Sequence, residues 1–511
     1  MRKFSATEKQ TISSFASGLS AAVLLIALIS LVLFIVLKGS AYFWPSQVFK
    51  VTTYDKANDE VSVFVPSSVD IDEFNAALTN KLNAQFSSSK QPMPLMVVEQ
   101  VDAIYQINLL SGAVQYGNFQ QISTPNSKLY QLAELNDVVV SVAIFQSELR
   151  EIQTNYLTAL HRKIALLNQS GVSEQAPARL KELEKFTYWQ QKAEALSEKI
   201  ASYRVIFIDV SGQPVDVLVK DIDHLFQPNL MSLFDKVSYS GNKIIEFVSE
   251  SPKQASTSGG VFPALFGTVL MVLLMAVIVA PFGAMAAIYL HEYAPNNMTT
   301  SVIRICVSNM AGVPSVVYGV FGLGFFVYTL GGSIDSLFYS GSLPSPTFGS
   351  PGLFWAALTM ALLTLPVVIV STEEGLRRVP EGLRAGSYAL GATKIETIWK
   401  TVLPVASPGI MTGVILAIAR AAGEVAPLIL VGAVKFAPSL PVDSEFPFLH
   451  LERQFMHLGV FIYDGAFHNQ TNTQGSSMMF ASCMLLLLIV FILNLFAIIV
   501  RNRLRDRYVR I

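Results

Sequence analysis

Charge is scarce in this chain. Asp, Glu, Lys and Arg make up 14% of it and hydrophobic residues 52%, where an ordinary soluble protein carries about a quarter charged residues. That shortage argues against a soluble globular protein. Cysteine is nearly absent: Cys306 and Cys483 both lie in apolar runs, so no disulfide can staple the polar part of the chain. Histidine is sparse and scattered. His161 and His224 stand alone, and His291-Glu292 begins like a zinc motif but lacks the second His, so no metal site is expected. There is no G-x-x-x-x-G-K-[ST] phosphate loop, so any ATP is hydrolysed by another chain. No Lys/Arg cluster sits beside exposed aromatics, which argues against nucleic acid.

The charge that exists is unevenly spread. Ser40 to Ser258 holds 18 Lys/Arg and 24 Asp/Glu, a balance of −6. The remainder holds 18 and 13, a balance of +5. An acidic, water-soluble insert is thus set into a basic-edged membrane protein.

A bilayer core needs about 20 apolar residues in a helix. The first run, Phe15 to Leu37, has 23 uncharged residues. Gly39-Ser40-Ala41 could serve as a signal-peptide cleavage site, but a signal core is only ~7–15 residues, so a retained anchor is expected. Further runs cover Gly259–Leu290, interrupted by Pro281, then Ile305–Leu330, Leu353–Val370, Gly409–Val434 and Ser476–Val500. The expectation is an α-helical polytopic membrane protein of six spans. Residues 1–14 form a cytoplasmic N-terminus, 15–37 the first span, 38–258 the insert, 259–504 the remaining spans, and 505–511 a cytoplasmic tail.

Lys and Arg in short loops stay on the cytoplasmic side. Arg2, Lys3 and Lys9 precede the first span; Arg377, Arg378, Arg384, Lys394 and Lys400 follow the fourth; Arg501, Arg503, Arg505, Arg507 and Arg510 end the chain. Six spans put all three groups on one side. The insert then faces outward, into the periplasm of a Gram-negative cell.

Within the insert, Ile71–Phe86 has helical periodicity and "LMVVEQVDAIYQINL" reads as strand. Ser127–Leu167 and Ala178–Tyr203 read as a helical hairpin with Gly171 and Pro177 between them. "RVIFIDVSGQPVDVLV" reads as two strands around a turn. An α+β domain follows.

The loop after the fourth span, 371–408, contains "VPEGLRAGSYALGATKIETIWKTVLP". Pro380 suits a first helical turn, and Leu383, Ser387 and Leu390 share one face. Gly391 permits a sharp break. Thr393 and Glu396 form a capping box for a second helix, in which Ile395, Ile398, Trp399 and Val402 make an apolar stripe bounded by Pro404 and Pro408. A bare amphipathic pair could rest on lipid; it could also fit a groove in another protein.

The spacing from Gly391 to Leu403-Pro404 resembles the "EAA" loop of ABC importer permeases. In register with that signature stand Ala385, Gly386 and Ser387, with Ala385 in place of the acidic first residue. "AGVPSVVYGVFGLGFF" (Ala311–Phe326), "LAIARAAGEVAPLIL" (Leu416–Leu430) and "GGVFPALFGTVLM" resemble phosphate importer permeases of the PstA type over Ser258 to about Leu504. The resemblance implies a permease subunit of an ATP-driven phosphate importer in the bacterial inner membrane, itself not an enzyme and binding no cofactor. Its partners would be a second, PstC-type permease, two copies of an ATPase that uses ATP-Mg, and a soluble phosphate-binding protein. The loop would dock into the ATPase.

Arg420 and Glu424 stand inside an apolar run. Charges at membrane depth cost ~2.5–3.5 kcal/mol or more each, so they face protein or water. Four apart on a helix they could pair, either as a static ion pair or as a switch in which phosphate competes for the Arg420 fork. Tyr318 could offer a hydroxyl to the anion, with Ser315 nearby in the pathway; Ala311, Ser315 and Gly319, spaced by four, suit close helix packing. Two other readings compete. An extracytoplasmic sensor would need only one or two spans. An ATP-independent transporter would have no use for the hinged loop.

Overall fold

The computed structural model describes residues 6–54, 60–66, 96–101, 103–111, 113–125, 127–129, 131–169, 176–210, 212–252, 259–342, 344–443, 447–468 and 473–508. The predicted helix at Ile71–Phe86 lies outside them. The chain divides into two units: Met1–Phe43 with Lys243–Pro252 and Gly260–Ile511, and Trp44–Asn242 with Lys253–Gly259.

Among the described residues, the first unit contains six helices long and apolar enough to cross a membrane: Ser14–Ala41, Phe262–Tyr293, Ser315–Phe338, Leu353–Arg377, Lys394–Gly423 and Ser477–Arg503. The fourth is the centre, 67% buried along its apolar window. It packs between the second and fifth spans around Met271, Met275, Val279, Met360, Val368 and Ala417. Lipid tails are as apolar as these side chains, so close packing rather than expulsion from water must hold spans together. Glycine supplies that packing. A Cβ on Gly409 would lie 2.5 Å from the Gly375 Cα, and one on Gly283 2.6 Å from Val368 Cγ1. Inside, Thr364 Oγ1 donates to the Met360 carbonyl at 2.9 Å, which satisfies the hydroxyl within its own helix. The first span packs on the last where a Cβ on Gly39 would meet the Phe480 carbonyl at 2.8 Å, with Phe34 edge-on to Phe480 at 5.6 Å.

Two spans differ from their expected course. The third was expected to begin at Ile305, but Met298–Met310 is a helix of its own. Gly312 and Pro314 break the chain before a new helix starts at Ser315. Pro314 cannot donate a backbone hydrogen bond, so the earlier helix, which includes Ile305–Met310 of the expected run, does not continue through it. The third span continues through a π-helical stretch, Gly322–Gly331. The fifth was expected to continue to Val434, but its helix stops at Gly423 and a short helix, Ala426–Val431, follows.

Beyond that short helix, Ala433–Val434 pairs in parallel with Phe455–Met456. The carboxylate of Asp335, at the end of the third span, accepts three backbone N–H bonds, from Thr347 and Phe348 at 2.8 Å and from Gly349 at 2.7 Å. A buried carboxylate needs that many donors, and they fix the loop before the fourth span.

The second unit is α+β. Its main sheet is antiparallel, with spatial order Pro214–Leu218, Arg204–Ile208, Val114–Ser123, Tyr105–Leu109, Ile222–Phe226, and Lys128–Leu129 added to Val114–Ser123. Alternate residues Val205, Phe207, Ile107 and Ile122 are buried with Val138, Val142 and Ile200 of the helices. The helical pair runs Leu135–Gln169, with one π-helical turn, and Pro177–Ala201, joined by a Tyr156–Trp189 stack at 4.0 Å. The expected single strand across "LMVVEQVDAIYQINL" is two: Met96–Gln100 joins a three-stranded sheet with Val48–Tyr54 and Glu60–Pro66, and Tyr105–Leu109 joins the main sheet. The expected insert, 38–258, also gives up Lys243–Pro252, because Phe247 packs on Phe43 at 5.3 Å within the membrane unit.

Candidate functional site

The loop between the fourth and fifth spans is built by local rules. Its first helix is Glu381–Ala389, with Pro380 capping it rather than occupying its first turn. Gly391 ends that helix with φ +86°. The Gly391 N–H donates to the Tyr388 carbonyl at 2.9 Å, and the Ala392 N–H reaches back to the Ser387 carbonyl at 3.2 Å. These are the two bonds of a Schellman motif, which needs a residue at ease in left-handed conformation. The capping box is present, with Glu396 N–H and the Thr393 backbone N–H each bonded to the other residue's side chain. Ser387 Oγ and Thr397 Oγ1, 2.9 Å apart, join the two helices across the hinge.

The second helix does not stop at Pro404. It passes through a π-helical turn, Ile398–Val402, and continues as the fifth span. The wider turn bonds the Leu403 N–H to the Ile398 carbonyl, so the ladder has already opened where Pro404 lacks a donor. The same turn splits the expected stripe. Ile398 and Val402 are buried, 3% and 0% exposed, while Ile395 and Trp399 are 61% and 67% exposed. The outward apolar surface is instead Leu383, Tyr388, Leu390, Ile395 and Trp399, drawn from both helices. Ala385 and Gly386 are exposed and Ser387 half-buried.

Charged groups fasten this loop to the spans. Arg384 Nη2 lies 3.0 Å from Glu292 Oε1, and the guanidinium also donates to the Val379 and Leu376 carbonyls at 2.9 and 3.0 Å. Lys394 Nζ donates to the Glu292 carbonyl. Arg304 pairs with Glu373 at 3.3 Å and donates to the Leu290 carbonyl at 2.7 Å. Sequence reasoning missed these roles. Arg384 and Lys394 counted only toward orientation, and Glu292 only as half of an incomplete zinc motif. Glu292 carried a signal by standing just past the end of an apolar run; Arg384 and Lys394, inside the polar loop, carried none.

The pair expected at Arg420 and Glu424 does not form. Arg420 lies in the last turn of the fifth span; Glu424 is the residue after its end, with extended backbone at φ −84°, ψ 132°. Pro427 lies in the first turn of the next short helix, and Gly432 at φ 146° turns the chain tightly against Gly352. In this geometry the static pair with Glu424 is not made. Arg420 is exposed and makes no ion pair among the described residues; its charge is close enough to act on Tyr318. Tyr318 is 6% exposed and donates its hydroxyl to the Met310 carbonyl at 2.8 Å. Ser315 is half-buried at the start of its helix. Of the three small residues spaced by four, Gly319 makes a close approach: its Cβ would lie 2.7 Å from the Pro427 Cα. Ala311 is outside the helix and exposed.

Residues 280–506 match the family described as binding-protein-dependent transport system inner membrane component. The phosphate transport system permease protein PstA 1 of Mycobacterium tuberculosis is 42% identical over 176 residues, covering 34% of this chain and 52% of that protein. The chain thus spans about half the length of that relative. The PstA of Yersinia pestis is 33% identical over 258 residues, covering 50% of this chain and 77% of that one. A probable ABC transporter permease of Bacillus subtilis, YqgI, is 30% identical over 253 residues, 48% of this chain and 78% of its own. With six apolar helices, a glycine-hinged loop between the fourth and fifth, and this likeness over most of the Yersinia protein, the chain belongs to the PstA-type family of ABC importer permeases.

Proposed function

We propose that this chain is one of two transmembrane subunits of an ATP-driven inorganic phosphate importer. A PstC-type permease stands beside it, two ATPase subunits engage it from the cytoplasm, and a soluble binding protein delivers phosphate from outside. Both termini and the loop 371–408 are cytoplasmic, as the Lys/Arg distribution requires. The ATPase takes the apolar surface of Leu383, Tyr388, Leu390, Ile395 and Trp399, which a polar cytoplasmic face otherwise has no reason to expose.

One observation carries the transport reading. The guanidinium of Arg420 is exposed at the end of an apolar span, with no ion pair among the described residues. Lipid does not accept such a charge, so its face must be covered by protein or water. In this reading that face is turned toward the second permease, along the pathway. A planar, permanently charged donor fork suits phosphate oxygens. The named activity of the relatives, phosphate transport, agrees with that chemistry.

The test is uptake in reconstituted vesicles holding both permeases and the ATPase, supplied with binding protein and radiolabelled phosphate. ATP-dependent accumulation that excess phosphate abolishes and excess sulfate leaves intact is expected. Accumulation without ATP, or none at all, defeats the reading. Arg420→Lys keeps the charge and loses the fork, so it should impair uptake while the ATPase still copurifies.

A further inference from the structure

We propose that Glu292 ties the loop between the fourth and fifth spans to the second span, and that this tie carries loop displacement into the membrane. The proposal rests on the transporter reading above. Glu292 lies in the π-helical turn Tyr289–Tyr293 that ends the second span. Its Oε1 accepts from Arg384 Nη2 at 3.0 Å and stands 3.2 Å from His291 Nδ1. Its backbone carbonyl accepts from Lys394 Nζ, which also sits over the Tyr293 ring at 4.6 Å.

The two cations come from opposite sides of the hinge. Arg384 belongs to the helix before Gly391 and Lys394 begins the helix after it. One residue of the second span therefore holds both arms of the loop. Arg384 is itself doubly anchored, because its guanidinium bonds the Val379 and Leu376 carbonyls at the end of the fourth span. Any push that moves the first arm must move Arg384, and through Glu292 it moves the end of the second span.

The burial of the pair makes this tie firm. The Glu292 and Arg384 side chains are 10% and 17% exposed. By contrast, Lys400 with Glu396, an ion pair within the second arm, spans 3.9 Å with side chains 79% and 48% exposed, and such surface pairs hold little. A partly buried, charge-assisted bond shared with two carbonyls resists being pulled apart. Without it, the first arm can pivot about Gly391 and leave the second span behind, while Lys394 still holds the second arm through the Glu292 carbonyl.

A mere structural staple and a transmitting tie differ in one readout, phosphate imported per ATP hydrolysed. The experiment uses the complete complex, reconstituted, with Glu292→Ala, Arg384→Ala and the double variant. Coupling between linked sites is typically worth a factor of about 5 or more. Each single variant should therefore lose at least about fivefold in phosphate per ATP while ATPase still copurifies. The double should lose no more than the worse single, because both remove the same link. Glu292→Gln keeps an acceptor oxygen and should fall between wild type and Ala. A wild-type ratio in the Ala variants overturns the proposal, and so do losses that multiply in the double. If Glu292→Ala fails to accumulate, a wild-type ratio in Glu292→Gln overturns it. A wild-type complex that takes up no phosphate with ATP overturns the transporter reading itself, and that arm is measured first.

Discussion

Substitution at Gly391 isolates the hinge from everything around it. A Cβ built there meets nothing within 4 Å, so no clash contributes; the cost is the φ of +86° alone. For an ordinary L-residue that left-handed conformation costs about 1–2 kcal/mol, whereas Asn, whose side chain can hydrogen-bond locally, adopts it more readily. A β-branched residue is a genuine outlier there and costs more. A cost of 1–2 kcal/mol is a factor of roughly 5–30 in the population of the hinged form. Proline is worse again, because its φ is held near −65° and it removes the N–H that bonds Tyr388 at 2.9 Å. ATP-dependent uptake per inserted chain should therefore fall in the order Gly, Asn, Ala, Val, Pro. Ala should stand within about thirtyfold of wild type. Copurification of the ATPase from the same membranes checks that the chain is assembled. Equal uptake by the Asn, Ala and Val variants, or Val matching Asn, would refute the argument that the left-handed turn is what the loop needs.

Four further outcomes follow from the packing and burial. Trp399→Ala, at an exposed position, should change the stability of the solubilised chain by no more than about 0.5 kcal/mol yet lower the ATPase retained in a pull-down; undiminished retention removes Trp399 from the docking surface. Ile398→Asp should instead prevent normal accumulation in the membrane, since it places an unpaired carboxylate at a site 3% exposed, and a stable, well-inserted variant would contradict that burial. Gly409→Val should lower thermal stability in detergent by about 1–3 kcal/mol through overpacking against Gly375, and an unchanged melting temperature would refute the close crossing. Burial pushes the His457 imidazole from its ordinary 6.5 down to about 3, so the unfolded chain binds the extra proton between those values and stability should drop as pH falls below 6.5. His457→Asn, which keeps an acceptor for the Gly459 N–H, should flatten that part of the pH–stability curve, and an identical slope would show that His457 does not titrate there.

The sequence by itself determined what depends on neighbours along the chain. Run length set the six spans, and a polar, acidic composition set the insert apart. The capping box at Thr393 and Glu396 and the turn at Gly391 are likewise local, because their hydrogen bonds close within six residues. Tertiary structure decided which side of each helix was covered. The Ile395–Val402 stripe looked continuous at 3.6 residues per turn, but the π-helical turn rotated Ile398 and Val402 inward and left Ile395 and Trp399 outside. Arg420 and Glu424 had helical spacing in sequence, but the helix stopped between them at Gly423. Nothing local announces that stop as firmly as Pro427 with the crossing at Gly319, and Gly432 against Gly352, enforce it. The link from Glu292 to Arg384 joins residues 92 apart in the chain. No periodicity encodes such a contact; only the packing of the second span beside the end of the fourth brings the two charges together.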